Sequence, residues 1–120
     1  MLSASDDMEH FTNVIYVSRI FGAWYVAYSS FQHLIASDTT GDQQLQLKKL
    51  LIDAKWAFNQ SPPPIIYKAL HYEIAAVFEH TELWLSGNTE QTVIDLMEDL
   101  QIVGVKLKQQ LILLGIDHTL

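Results

Sequence analysis

The chain contains no cysteine, which removes disulfides, thiolate catalysis and cysteine-based zinc sites from consideration. Its five glycines are scattered singly, so it has no glycine-rich phosphate loop and no Gly-x-Ser-x-Gly nucleophile elbow. Positive charge is scarce: seven Lys and Arg stand against fourteen Asp and Glu, a net charge of -7, and the longest basic run is Lys48-Lys49. Phosphate binding depends on concentrated positive charge, which makes nucleic acid a poor partner. The same balance counts against adsorption to anionic lipid by electrostatics alone.

Long apolar runs are also missing. The longest such stretch, Val14 to Phe31, is interrupted by Ser18, Arg19, Ser29 and Ser30. A membrane span needs about 20 mostly apolar residues, and a central Arg costs about 2.5 kcal/mol or more, so no transmembrane helix is expected. Met1-Leu2-Ser3-Ala4-Ser5-Asp6-Asp7 lacks the basic start and apolar run of a secretory signal, and cytoplasmic residence is the expectation.

What is present points to a single globular domain over residues 1–120. Apolar residues make up 49% of the 120 positions and charged ones 18%, enough apolar surface to drive folding. Three polar breaks divide the chain. Ser37 to Asp42 reads as a turn around Gly41. Ser61 before Pro62-Pro63-Pro64 reads as an N-cap with a helix just after it, because proline is tolerated in a first helical turn. At Ser86 to Gln91, Gly87 suits a left-handed helix stop, and Asn88 with Gln91 has the spacing of a capping box.

Between the breaks, apolar residues recur in steps of three and four, the period of a helix and not of a strand. The last segment runs Val93, Leu96, Leu100, Val103, Leu107, Leu111 and Leu114, with Gly115 as its stop. The third runs Ile66, Leu70, Ile74, Val77, Thr81 and Trp84. The second runs Leu47, Leu50 or Leu51, Ala54 and Phe58. The first has Ser5 as its cap and places Phe11, Val14, Val17, Phe21, Trp24, Tyr28, Phe31 and Ile35 inward. The expected architecture is all-α, an antiparallel up-down-up-down four-helix bundle with helices near 5–36, 42–60, 63–85 and 89–114.

The first helix carries more apolar surface than one stripe accounts for, through Ile15, Tyr25 and Val26. Either it is the central helix of the bundle or part of it is an interaction face. Gly22 marks where a kink or a close helix contact would fall. Trp24 lies on the inward stripe, whereas Tyr25 is about 100° further round and shares its face with Ser18, Gly22, Ser29 and Gln32. Exposed aromatics make good binding anchors. Tyr25, with Ser18 and Gln32, is therefore the candidate partner-binding or self-association face.

No catalytic, cofactor-binding or metal-binding constellation stands out, and the chain reads as a protein without enzymatic activity. His71, Glu73, Glu79, His80 and Glu82 on the third helix read as a solvated face. Di-iron bundles need Glu-x-x-His pairs, and the nearest match is Asp7-x-x-His10. Glu98 and Asp99 are adjacent and read as outward charges. Trp24 and His33 fall on roughly opposite sides of the first helix, so a pocket between helices could use one but hardly both.

Leu50-Leu51-Ile52-Asp53-Ala54-Lys55 leads toward Pro63-Pro64-Ile65-Ile66-Tyr67-Lys68-Ala69-Leu70. After a polar break comes Thr92-Val93-Ile94-Asp95-Leu96-Met97-Glu98-Asp99-Leu100. In these segments the chain resembles the immunity proteins of pediocin-like bacteriocins, the enterocin A immunity family, over roughly Leu45 to Leu107. The resemblance implies a small cytosolic antiparallel four-helix bundle that protects a bacterium from a pore-forming peptide, with a toxin or toxin receptor as partner. A helical adaptor, chaperone or phage-type inhibitor that binds a host protein, with a homodimer among its forms, is the alternative reading.

Overall fold

The computed structural model describes residues 4–36, 41–87 and 90–116. Four α-helices follow in order: α1 (Ala4–Ile35), α2 (Gly41–Asn59), α3 (Lys68–Leu85) and α4 (Val93–Leu113), with one turn of 3-10 helix (Ile65–Tyr67) leading into α3. Cross-helix contacts fix the directions. On α1 and α4, Tyr28 meets Gln101 while Trp24 meets Leu100 and Gly104. On α3 and α4, Glu73 pairs with Lys106 and His80 faces Asp99. Lys55 of α2 reaches Glu82 of α3, with Phe58 stacked on His71 further along. Across the core, Tyr16 meets Tyr67 and Phe31 meets Trp84, so α1 and α3 run parallel on one diagonal. The arrangement is an up-down-up-down four-helix bundle with sequential neighbours antiparallel.

Burial follows the expected spacing closely in α4, where Leu96, Leu100, Val103, Leu107 and Leu111 are all buried. In α2 the ambiguous pair resolves to Leu51, 1% exposed, against Leu50 at 44%. The core joins residues from all four helices. α1 buries two flanks, Ala23, Ala27 and Ser30 on one side and Phe21 and Trp24 on the other, as the central-helix reading requires. It is continuous through Gly22, which is exposed and where an added β-carbon would meet no atom. Neither a break nor a close helix contact occurs there.

Several boundaries differ from the sequence expectation. Ser5 lies inside α1 rather than capping it. Of the turn at Ser37 to Asp42, residues 37–40 are outside the described residues, and Gly41 and Asp42 already belong to α2. α3 begins at Lys68, not after Ser61. A residue preceding proline is pushed out of the helical region, which bars Ser61, Pro62 and Pro63 in succession. Pro64 is itself extended, with φ -59° and ψ 157°. Ser61 instead closes α2, its Oγ donating to the Ala57 carbonyl.

Asn88 of the expected capping box is outside the described residues, and α4 is capped by Thr92 and Asp95. Thr92 Oγ1 accepts from Asp95 N at 3.2 Å while Asp95 Oδ2 accepts from Thr92 N at 3.1 Å, satisfying two otherwise orphaned amides and placing a carboxylate at the positive helix end. At the other end Gly115, φ 73°, donates to Ile112 O, and Ile116 donates to Leu111 O. That pair of bonds is a Schellman stop.

Phe11, expected inward, is 59% exposed. The 32 residues of α1 span about 48 Å, whereas the 19 of α2 span about 28 Å at 1.5 Å per residue. Because α2 ends level with Ser18 and Arg19, it leaves the first turns of α1 uncovered. Met8, Glu9, His10, Phe11 and Thr12 are all exposed.

The two helix-interior glycines differ in their surroundings. A β-carbon on Gly104 would fall inside the Trp24 indole, whereas one on Gly22 would meet nothing. Gly104→Ala is expected to lose about 1–2 kcal/mol net, because overpacking against a fixed ring outweighs the helix-propensity gain. Gly22→Ala is expected to gain about 0.5–1 kcal/mol. Urea unfolding of the two variants should therefore shift the midpoint in opposite directions.

Candidate partner-binding face

The outward side of α1 is what its two buried flanks leave over. Tyr25, Ser18 and Gln32 are all exposed there, Tyr25 by 40%. The Tyr25 ring is held from below by Phe21, centroids 6.4 Å apart, and by Trp24 at 6.5 Å. Both supports are core residues. The ring is therefore positioned before any partner arrives, which reduces the ordering cost of contact.

Beside this face runs the seam between α1 and α2. A cleft of about 370 Å³ is lined by Tyr25, Val26, Ser29, His33, Leu47 and Leu50. Further along lies a second of about 320 Å³, lined by Ser18, Arg19, Gly22, Trp56, Ala57 and Gln60. The structure thus brings Tyr25 and Ser18 to the same seam, while Gln32 lines neither cleft. His33 borders the first with its Nδ1 2.7 Å from the Ser29 carbonyl, a bond in which Nδ1–H donates. Trp24 faces α4 instead, so the cleft uses one of the two and not both.

The contribution of α2 was not singled out from the sequence. Leu45, Leu50, Ile52 and Trp56 are exposed by 69%, 44%, 59% and 66%. The available signal was that these apolar residues lie off the inward stripe of Leu47, Leu51, Ala54 and Phe58.

The polar residues of α3 are not a simple solvated face. Glu73 pairs with Lys106 of α4 and Glu82 with Lys55 of α2, while His80 Nδ1 lies 3.9 Å from Asp99 Oδ2. Glu79 and Glu98 are exposed. His71 turns inward, half-buried, stacked on Phe58 with centroids 4.4 Å apart. Its Nδ1 is 2.7 Å from the Tyr16 hydroxyl. Burial, aided by the neighbouring Tyr67, pushes the Tyr16 pKa up to about 12. The hydroxyl therefore keeps its proton within this hydrogen bond to the imidazole. Among the described residues, no three His, Asp or Glu side chains come together in a group able to hold a metal ion.

These features define an antiparallel four-helix bundle with an apolar seam open between α1 and α2. No family model, curated protein or solved structure matches the chain. No helix among the described residues is long and apolar enough to cross a membrane.

Proposed function

We propose that the protein acts in the cytoplasm by contact with a protein partner, without catalysis. The partner role follows the bacteriocin-immunity resemblance, neutralisation of a toxin or shielding of its receptor. The observation that carries the contact reading is the Tyr25 ring, supported by Phe21 and Trp24 and held at the mouth of the α1/α2 cleft. An aromatic anchor beside a preformed apolar cleft is the usual centre of a protein interface.

The test is expression in a bacterium sensitive to pediocin-like peptides, challenged with a panel of them. Survival against one member is expected. Tyr25→Asp should abolish that protection, since loss of a central anchor weakens binding by about 30-fold or more. The protomer's melting temperature should stay nearly unchanged. Sensitivity to every peptide would remove the immunity reading, and a collapsed melt for Tyr25→Asp would make Tyr25 a core residue. Self-association lost in Tyr25→Asp, seen by analytical ultracentrifugation without protection, would assign the face to a homodimer.

A further inference from the structure

We infer that the cleft between the first turns of α1 and the wall formed by residues 64–66 binds a primary alkylammonium group, the head of a lysine side chain or of a free amine. The cleft measures about 300 Å³ and is lined by Glu9, Thr12, Asn13, Pro64, Ile65 and Ile66. Positions 9, 12 and 13 are three and four apart, so their side chains share one face of α1. Opposite them stands the chain between α2 and α3, extended at Pro64 with φ -59° and ψ 157°. Just past it, the Tyr67 ring stacks on Tyr16 of α1, centroids 5.5 Å apart and both residues buried. The two walls are thus tied together before any ligand enters, which lowers the ordering cost of binding.

Asn13 is the residue that calls for a ligand. It is 8% exposed, and its Oδ1 is buried with no hydrogen-bond partner among the described residues. A buried acceptor left unpaired costs stability, and a donor held in the cleft would supply the missing bond. An amide can turn over and present its NH2 instead, so the neighbouring groups decide the sign of the ligand. Thr12 Oγ1 donates its proton to the Met8 carbonyl at 2.8 Å and has only lone pairs left to offer. Glu9 is a carboxylate, and no ion pair neutralises it among the described residues. Asp7 lies close by in the chain while no Lys or Arg precedes Arg19, so the field at this end of α1 favours a cation. Three oxygen-bearing side chains suit the three N–H donors of an ammonium, whereas a planar guanidinium is matched by the paired oxygens of one carboxylate. Ile65 and Ile66, both exposed, give the aliphatic stem an apolar wall. Asn13 and Tyr25 lie about 18 Å apart along α1, so this site is separate from the partner face.

The test is amide NMR of the full chain titrated with butylammonium chloride, with sodium butyrate and butanol as the anionic and neutral controls. Saturable shifts at residues 9–13 and 65–67 are expected with butylammonium alone, at a dissociation constant of about a millimolar, the scale for so small a ligand. Glu9→Gln should weaken binding about tenfold. Asn13→Leu keeps the shape and removes the unpaired amide, so binding should weaken about tenfold or more while the melting temperature holds or rises. No saturable shift with butylammonium, an equal response to butyrate, or binding indifferent to both substitutions would overturn the inference. A lowered melt in Asn13→Leu would show that the amide serves the fold, and would overturn it too. A glycine peptide carrying one lysine, set against putrescine, separates the two sources: tighter binding of the peptide assigns the site to a lysine side chain, tighter binding of putrescine to a free amine. Tyr25→Asp should leave these titrations unchanged, so failure here and failure of the partner reading are distinguishable.

Discussion

Trp24→Ala is expected to destabilise the fold by about 3–5 kcal/mol, the range for emptying a packed aromatic site. The side chain is 4% exposed. Its Nε1–H donates to the Leu100 carbonyl at 2.7 Å, and its ring stacks on Tyr28 with centroids 5.1 Å apart. It also fills the space that Gly104 leaves by having no β-carbon. A small residue at 24 would leave a glycine opposite an alanine, a gap that neither helix can close without sliding. Chemical denaturation should show the loss as a lowered midpoint. Trp24→Phe should fall between, keeping much of the volume but losing the hydrogen bond. Because Trp24 also supports Tyr25, partner binding should weaken in both variants by more than the fraction unfolded explains.

Phe58→Ala is expected to cost a similar amount, about 3–5 kcal/mol, and to change how stability depends on pH. Phe58 is 1% exposed and stacks on Phe78 and His71. Burial holds the His71 pKa below its ordinary value of 6.5, so the fold favours the neutral ring. The unfolded chain then binds more protons just below pH 6.5, and stability must fall as the pH drops through that value until the folded-state pKa is reached. Above pH 6.5 the His71 contribution is fully present. Protonation also leaves Nδ1 able only to donate to the Tyr16 hydroxyl. Removing the Phe58 ring opens His71 to water, so the acid-side loss should shrink in Phe58→Ala. His71→Gln should remove it while leaving a polar partner for Tyr16. Thermal melts of the three proteins between pH 5 and pH 8 check both statements. An unchanged slope in Phe58→Ala would show that something other than that ring dries the imidazole.

The sequence by itself determined the helical class, the turns near Gly87 and Gly115 and the inward stripes of α2, α3 and α4, except at Ile66, expected on the third stripe but 62% exposed in the 3-10 turn before α3. The reason is local: a residue's place in a 3.6-residue period and a glycine's tolerance of positive φ depend on near neighbours in the chain. It also put Tyr25 on the outer side of α1 with Ser18 and Gln32, since one turn of geometry separates Tyr25 from Trp24. Tertiary structure decided the rest. Whether Phe11 is inside depends on where α2 stops beside it, and periodicity along α1 carries no information about α2. The sequence pointed to Asn88 and Gln91 for the start of α4, whereas the reciprocal cap bonds form between Thr92 and Asp95. His71 looked like part of a polar face because its ring partners, Tyr16 and Phe58, belong to other helices.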